Sequence, residues 1–210
     1  ALKREIFGTG GRGQFFFHGQ SVFNHNTTVI EDEKDEKENP STPRTAYIRQ
    51  CKLEKIIPEP TICRTEQSST FSRAYFGLGN KKTRAAIKYL SELPSAVTVV
   101  NLKDNRLDDE NLAKVIKALQ KNSKVEQIIL AGNKVGNKSA DAMADLLSLP
   151  NMRLELLDMS HCEIGDNAAK LIGTAIGKTK APLQVLHLEH NNIRESGAAV
   201  LGKAFSKHKT

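Results

Sequence analysis

Tryptophan is absent from the 210-residue chain, and aromatic residues make up only 5% of it. A core must therefore come from Leu, Ile, Val and Ala, the aliphatic residues that repeated units can share. Cysteine is sparse too: Cys51, Cys63 and Cys162 lie far apart. That count and spacing argue against a disulfide framework and a Cys-x-x-Cys metal site, and they imply a reducing, cytoplasmic setting. No apolar run approaches the roughly 18 residues of a bilayer span. The start, Ala1-Leu2-Lys3-Arg4-Glu5, lacks the apolar stretch of a secretory signal. It also lacks Met, which implies a processed chain or a fragment. Without a signal, the sequons at Asn26 and Asn137 carry little meaning.

Charge of one sign is not concentrated either. The net charge of +7 is spread out, so an acidic partner is permitted and not demanded. Lys81, Lys82, Arg84 and Lys88, and again Lys203, Lys207 and Lys209, read as solvated helix faces; no nucleic-acid motif accompanies them. Gly8-Thr9-Gly10-Gly11-Arg12-Gly13 lacks the flanking strand, the helix and the Lys-Ser/Thr end of a phosphate loop. No Ser/His/Asp or Cys/His set has identifiable partners. The expectation is no catalytic residue, no cofactor, no metal, no small-molecule ligand, no membrane and no specific nucleic acid.

What the chain has is internal repetition. Val97-x-x-Val100-x-Leu102-x-x-Asn105-x-Leu107 is followed by Val125-x-x-Ile128-x-Leu130-x-x-Asn133-x-Val135. Then come Leu154-x-x-Leu157-x-Met159-x-x-Cys162-x-Ile164 and Leu183-x-x-Leu186-x-Leu188-x-x-Asn191-x-Ile193. The Asn or Cys position recurs in steps of 28, 29 and 29 residues. Alternation in the L-x-L part marks a short strand with one buried face. Asn105, Asn133, Cys162 and Asn191 then turn inward to bond the backbone of neighbouring coils, whose amides stacking would otherwise leave unpaired.

A helical pattern follows each strand. Leu112, Val115, Ile116 and Leu119 mark one over 109–120, and Ala142, Met143, Leu146 and Leu147 another over 138–147. Ala169, Leu171, Ile172 and Ile176 mark a third over 166–176, and Ala198, Leu201, Ala204 and Phe205 a fourth over 195–205. Asp108, Asn137 and Asp166 are the expected caps. Counting back from Asn105 gives a worn fifth unit, with a strand near 70–79 and a helix over 83–93 that turns Ala86, Ile87 and Leu90 inward.

With Asn101-Leu-Lys-Asp-Asn-Arg-Leu107 and Leu186-His-Leu-Glu-His-Asn-Asn-Ile193, the region from about 70 to 207 resembles the ribonuclease-inhibitor-like leucine-rich-repeat family. The resemblance implies an α/β fold: a right-handed superhelix with parallel strands on its concave face and helices outside. Members include the inhibitor, the Ran GTPase-activating protein and ciliary and cytoskeletal proteins. Tyr47-Ile48-Arg49-Gln50-Cys51, Ile56-Ile57-Pro58-Glu59-Pro60 and Gly77-Leu78-Gly79 are similar to leucine-rich-repeat proteins of flagellated protists.

Three regions follow: an irregular arm and linker over 1–43, a short helix and lead-in over 44–69, and a solenoid of about five units over 70–210. The arm's Phe15, Phe16, Phe17 and Phe23 either order on a partner or fold back on the solenoid. The main binding surface expected is the concave row Asn101, Lys103, Asp104, Ile129, Ala131, Asp158, Ser160, His161, His187, Glu189 and His190. His161, His187 and His190 should lie near one another as solvent-facing polar groups. The function expected is a non-enzymatic protein-interaction scaffold within a larger assembly, cytoplasmic and cytoskeletal or ciliary by resemblance. The alternative is a regulator of a small GTPase, with Arg106 as the activating charge.

Overall fold

Strands of three residues separated by helices of eleven are too short to bury anything alone; stacking is what gives them a core. The computed structural model describes residues 42–59, 62, 68–74, 77–93 and 96–207. Phe15, Phe16, Phe17 and Phe23 lie outside the described residues. The order is α1 (Pro43–Glu54), β1 (Thr70–Ser72), α2 (Gly79–Leu90), β2 (Val99–Asn101), α3 (Asp109–Leu119), β3 (Gln127–Ile129), α4 (Asn137–Leu147), β4 (Leu156–Asp158), α5 (Asp166–Ile176), β5 (Val185–His187) and α6 (Glu195–Lys207). The five strands form one parallel sheet in sequence order. Val100, Ile128, Leu157 and Leu186 are register partners, as the repeat alignment requires.

The core lies between sheet and helices. Leu102, Leu130 and Met159 point into it from the strand side, and Leu112, Ile116, Met143, Leu146 and Ile172 from the helix side. Asn133 ties three coils together. Its Nδ2 donates to the Leu102 and Leu130 carbonyls at 2.9 and 2.7 Å, and its Oδ1 accepts from the Leu107 amide at 3.0 Å. Asn191 repeats the pattern, accepting from the Cys162 and Ile164 amides. Cys162 substitutes by donating its thiol to the Leu130 and Ser160 carbonyls. Burial pushes that thiol up to about 11, so it stays protonated and takes no nucleophilic role.

The helix starts depart from expectation. Asp108 does cap α3, accepting from the Asn111 amide at 2.8 Å. Asn137 and Asp166 instead are the first residues of their helices, with Gly136 and Gly165 at the cap positions. The carboxylates at the first helical position serve the next coil. Asp109 accepts from the Gly136, Lys138 and Ser139 amides and the Ser139 hydroxyl. Asp166 accepts from the Arg194 and Gly197 amides and the Ser196 hydroxyl. Capping here is a bond between coils. Proximity decides it, because stacking brings each helix start beside the carboxylate of the coil before.

The sheet's first coil is covered on the helical side by α1, which Thr42 caps and Pro43 opens. Arg84 on α2 holds Glu54 on α1 through both carboxylate oxygens, and this hydrogen-bonded guanidinium keeps the Glu54 carboxyl below its ordinary range. α2 begins at Gly79, four residues earlier than the sequence pattern indicates, and buries Thr83, Ala85, Ala86, Tyr89 and Leu90. Phe71 stacks on Tyr89 with ring centroids 5.3 Å apart, which gives the worn first coil an aromatic pair where later coils use aliphatics.

Candidate functional site

Three rows of side chains stand on the concave face. The middle row, read across the coils, is Ser72, Asn101, Ile129, Asp158 and His187. Beyond it lie Lys103, Ala131, Ser160 and Glu189. Sequence reasoning missed the lower row: Val99, Gln127, Leu156 and Val185, one strand position earlier. Each is at least partly exposed, and Val185 is 38% exposed. The signal was available, since the strand's two-residue period places these on the same face as Asn101 and its counterparts. With Ile129 they make an apolar margin beside a polar field.

Ala131 does not belong to the exposed set. It is 1% exposed. Its single methyl lies between its register counterparts Lys103 and Ser160, whose longer side chains project past it. Asn101 and Asp158 are oriented by their own strands: Asn101 accepts from the Lys103 amide, and Asp158 from the Ser160 amide and hydroxyl.

Asp104, His161 and His190 share one backbone reason for being where they are. Each precedes the ladder residue with φ of 54 to 56°, and Gly132 holds the equivalent place at 72°. Among non-glycine residues, Asp and His enter this left-handed region more readily than most. At Gly132 a side chain is excluded twice over, because a Cβ there would lie 1.9 Å from Asp104 Oδ1. The His161 and His190 rings stack with centroids 4.3 Å apart and planes 16° from parallel. His187 Nδ1 lies 3.0 Å from Glu189 Oε1. That hydrogen bond raises the His187 pKa and lowers that of Glu189. So the three histidines do gather at one end of the face, two stacked and one carboxylate-bound. Among the described residues no group of three or more His, Cys, Asp or Glu is arranged to hold a metal ion, and no helix is long and apolar enough to cross a membrane.

Parallel strands on one side, helices on the other and an inward Asn ladder define an α/β solenoid of stacked coils. Residues 151–173 and 179–202 match the family model described as Leucine Rich repeat. The protein is a leucine-rich-repeat protein, and repeats of this kind bind other proteins through broad solenoid surfaces.

Proposed function

We propose that the protein is a non-enzymatic scaffold that grips a protein partner on its concave face, within a larger cytoplasmic assembly. One observation carries this reading: an apolar margin of Val99, Ile129, Leu156 and Val185 runs beside Asp158, His187 and Glu189 on a rigid sheet. An apolar strip rimmed by hydrogen-bonding groups is the anatomy of a protein interface. The buried, protonated Cys162 thiol and the capping carboxylates of Asp109 and Asp166 have structural duties instead. A cytoskeletal or ciliary setting, and membership of the ribonuclease-inhibitor-like branch, rest on resemblance.

The test is native purification with crosslinking mass spectrometry, followed by binding of the partner recovered. Crosslinks should run from Lys103 on the concave side. Replacing Ile129 and Leu156 together by Arg should weaken binding by at least about 30-fold, the loss expected for central apolar anchors. Lys117→Glu on the helical side should leave it unchanged. Crosslinks confined to the helices, with Ile129 and Leu156 indifferent, would move the site off the sheet.

A second reading attaches to Arg106, which is exposed on the turn beyond the ladder with φ of 55°. A scaffold leaves GTP hydrolysis by a small GTPase unchanged. Stimulated hydrolysis that Arg106→Ala abolishes would establish a GTPase regulator and displace the scaffold.

A further inference from the structure

The fifth coil is the place where the repeat rule breaks. Periodicity turns Ala198 and Phe205 inward, yet both are exposed, Phe205 by 50%. Its equivalents Leu119, Leu147 and Ile176 are each 0% exposed. Leu186, Leu188 and Ile193 are partly uncovered, although their counterparts Leu157, Met159 and Ile164 are fully buried. In inner coils the following coil covers these positions. Among the described residues none follows here, so the outer side of this coil presents the same surface on which four coil-to-coil contacts are already built.

The backbone tells the same story. Leu102, Leu130 and Met159 each donate an amide to the next coil, at Ile129, Asp158 and His187. The equivalent Leu188 amide points out of the open edge of β5. On the helical side, Gly173 is the notch through which α5 receives Leu201; a Cβ there would lie 3.2 Å from Leu201 Cδ2. Gly202 is its repeat equivalent on α6, and nothing lies within 4 Å of a Cβ placed there. Ala198, Gly202 and Phe205 thus form an open stripe at helical spacing: two small residues beside one large one.

We infer that this face takes a second copy of the chain, in a twofold dimer that joins β5 to β5 and α6 to α6, both antiparallel. The stripe is self-complementary, which an isologous interface requires. An antiparallel α6 pair centred between Leu201 and Gly202 sets Phe205 of one copy on Ala198 of the other, and the reverse, around the two glycine notches. The charges agree: Glu195 opens the helix and Lys207 closes it, so antiparallel pairing brings each Glu195 within a turn of the other copy's Lys207. One axis, running through the coil from strand to helix, satisfies both elements at once. It keeps both concave faces on the same side, so the five strands of each copy continue into one doubled sheet. The exposed strand edge, a liability in isolation, is closed by the same act.

Sedimentation velocity and light scattering on the full 210-residue chain test this. The expected result is a species of twice the chain mass at micromolar concentration. Phe205→Glu should weaken it by at least about 100-fold, since both copies lose the anchor and gain two facing charges; Phe205 is exposed, so the variant folds. Glu195→Lys and Lys207→Glu should each weaken self-association, while an equimolar mixture of the two forms a heterodimer, because each then supplies the other's missing charge. A chain monomeric at all concentrations overturns the proposal. So does a dimer indifferent to Phe205→Glu, which would lie on another surface.

Discussion

Asn133→Ala should lower stability by about 3 kcal/mol, the upper range for stranding buried polar groups. The side chain is buried at the centre of the stack and makes three hydrogen bonds of 2.7 to 3.0 Å. Alanine deprives the Leu102 and Leu130 carbonyls of a donor and strands the Leu107 amide. Water cannot take over without opening the contact between two coils. Asn133→Cys is the informative comparison, because Cys162 shows how far a thiol can substitute in the next coil, reaching its carbonyls at 3.3 and 3.4 Å. A thiol still donates, weakly, but it gives the Leu107 amide a poor acceptor. Its cost should be roughly half that of alanine. Urea denaturation followed by circular dichroism reads both; an unshifted midpoint for Asn133→Ala would remove the ladder from the account of stability.

Features repeated in every coil were legible in the sequence, and features made by one coil on another were not. Ile128, Leu130 and Asn133 announce strand and ladder because their partners share the same positions 28 or 29 residues away. The left-handed turn was legible too, in the series Asp104, Gly132, His161 and His190, though their polarity suggested partner binding before backbone conformation. Asp109 and Asp166 could not be placed, since local capping rules join a carboxylate to its own helix while the amides it bonds lie about 30 residues on. Ala131 failed for a simpler reason: alternation gives direction, and exposure also needs length. Ala198 and Phe205 failed because periodicity says which face turns inward and not whether a neighbour covers it.

The carboxylate between coils gives a pH dependence whose sign can be worked out. Burial raises the Asp109 pKa, but the Ser139 hydroxyl and the Ser139, Lys138 and Gly136 amides outweigh it and hold the carboxyl below its ordinary 3.8. A group depressed in the folded state contributes stability that is fully present above the unfolded value and is lost as pH falls through the folded one. Asp109→Ala should therefore cost about 2 kcal/mol at neutral pH, the top of the range for a capping residue, since one carboxylate serves four donors. The gap between the two proteins should narrow below about pH 4, once the native carboxyl begins to protonate. Melting temperatures of both from pH 7 to pH 2 measure it, and a gap that stays constant across that range would mean packing, not charge, makes the contribution. The reciprocal change is Asn137→Asp. Asn137 stands where Asp109 and Asp166 stand in their coils, and α5 beyond it starts at Gly165 without a side-chain cap. A carboxylate there should gain about 0.5 kcal/mol, less than Asp109 contributes, because Ala168 replaces the hydroxyl of Ser139 and only amides remain to be bonded.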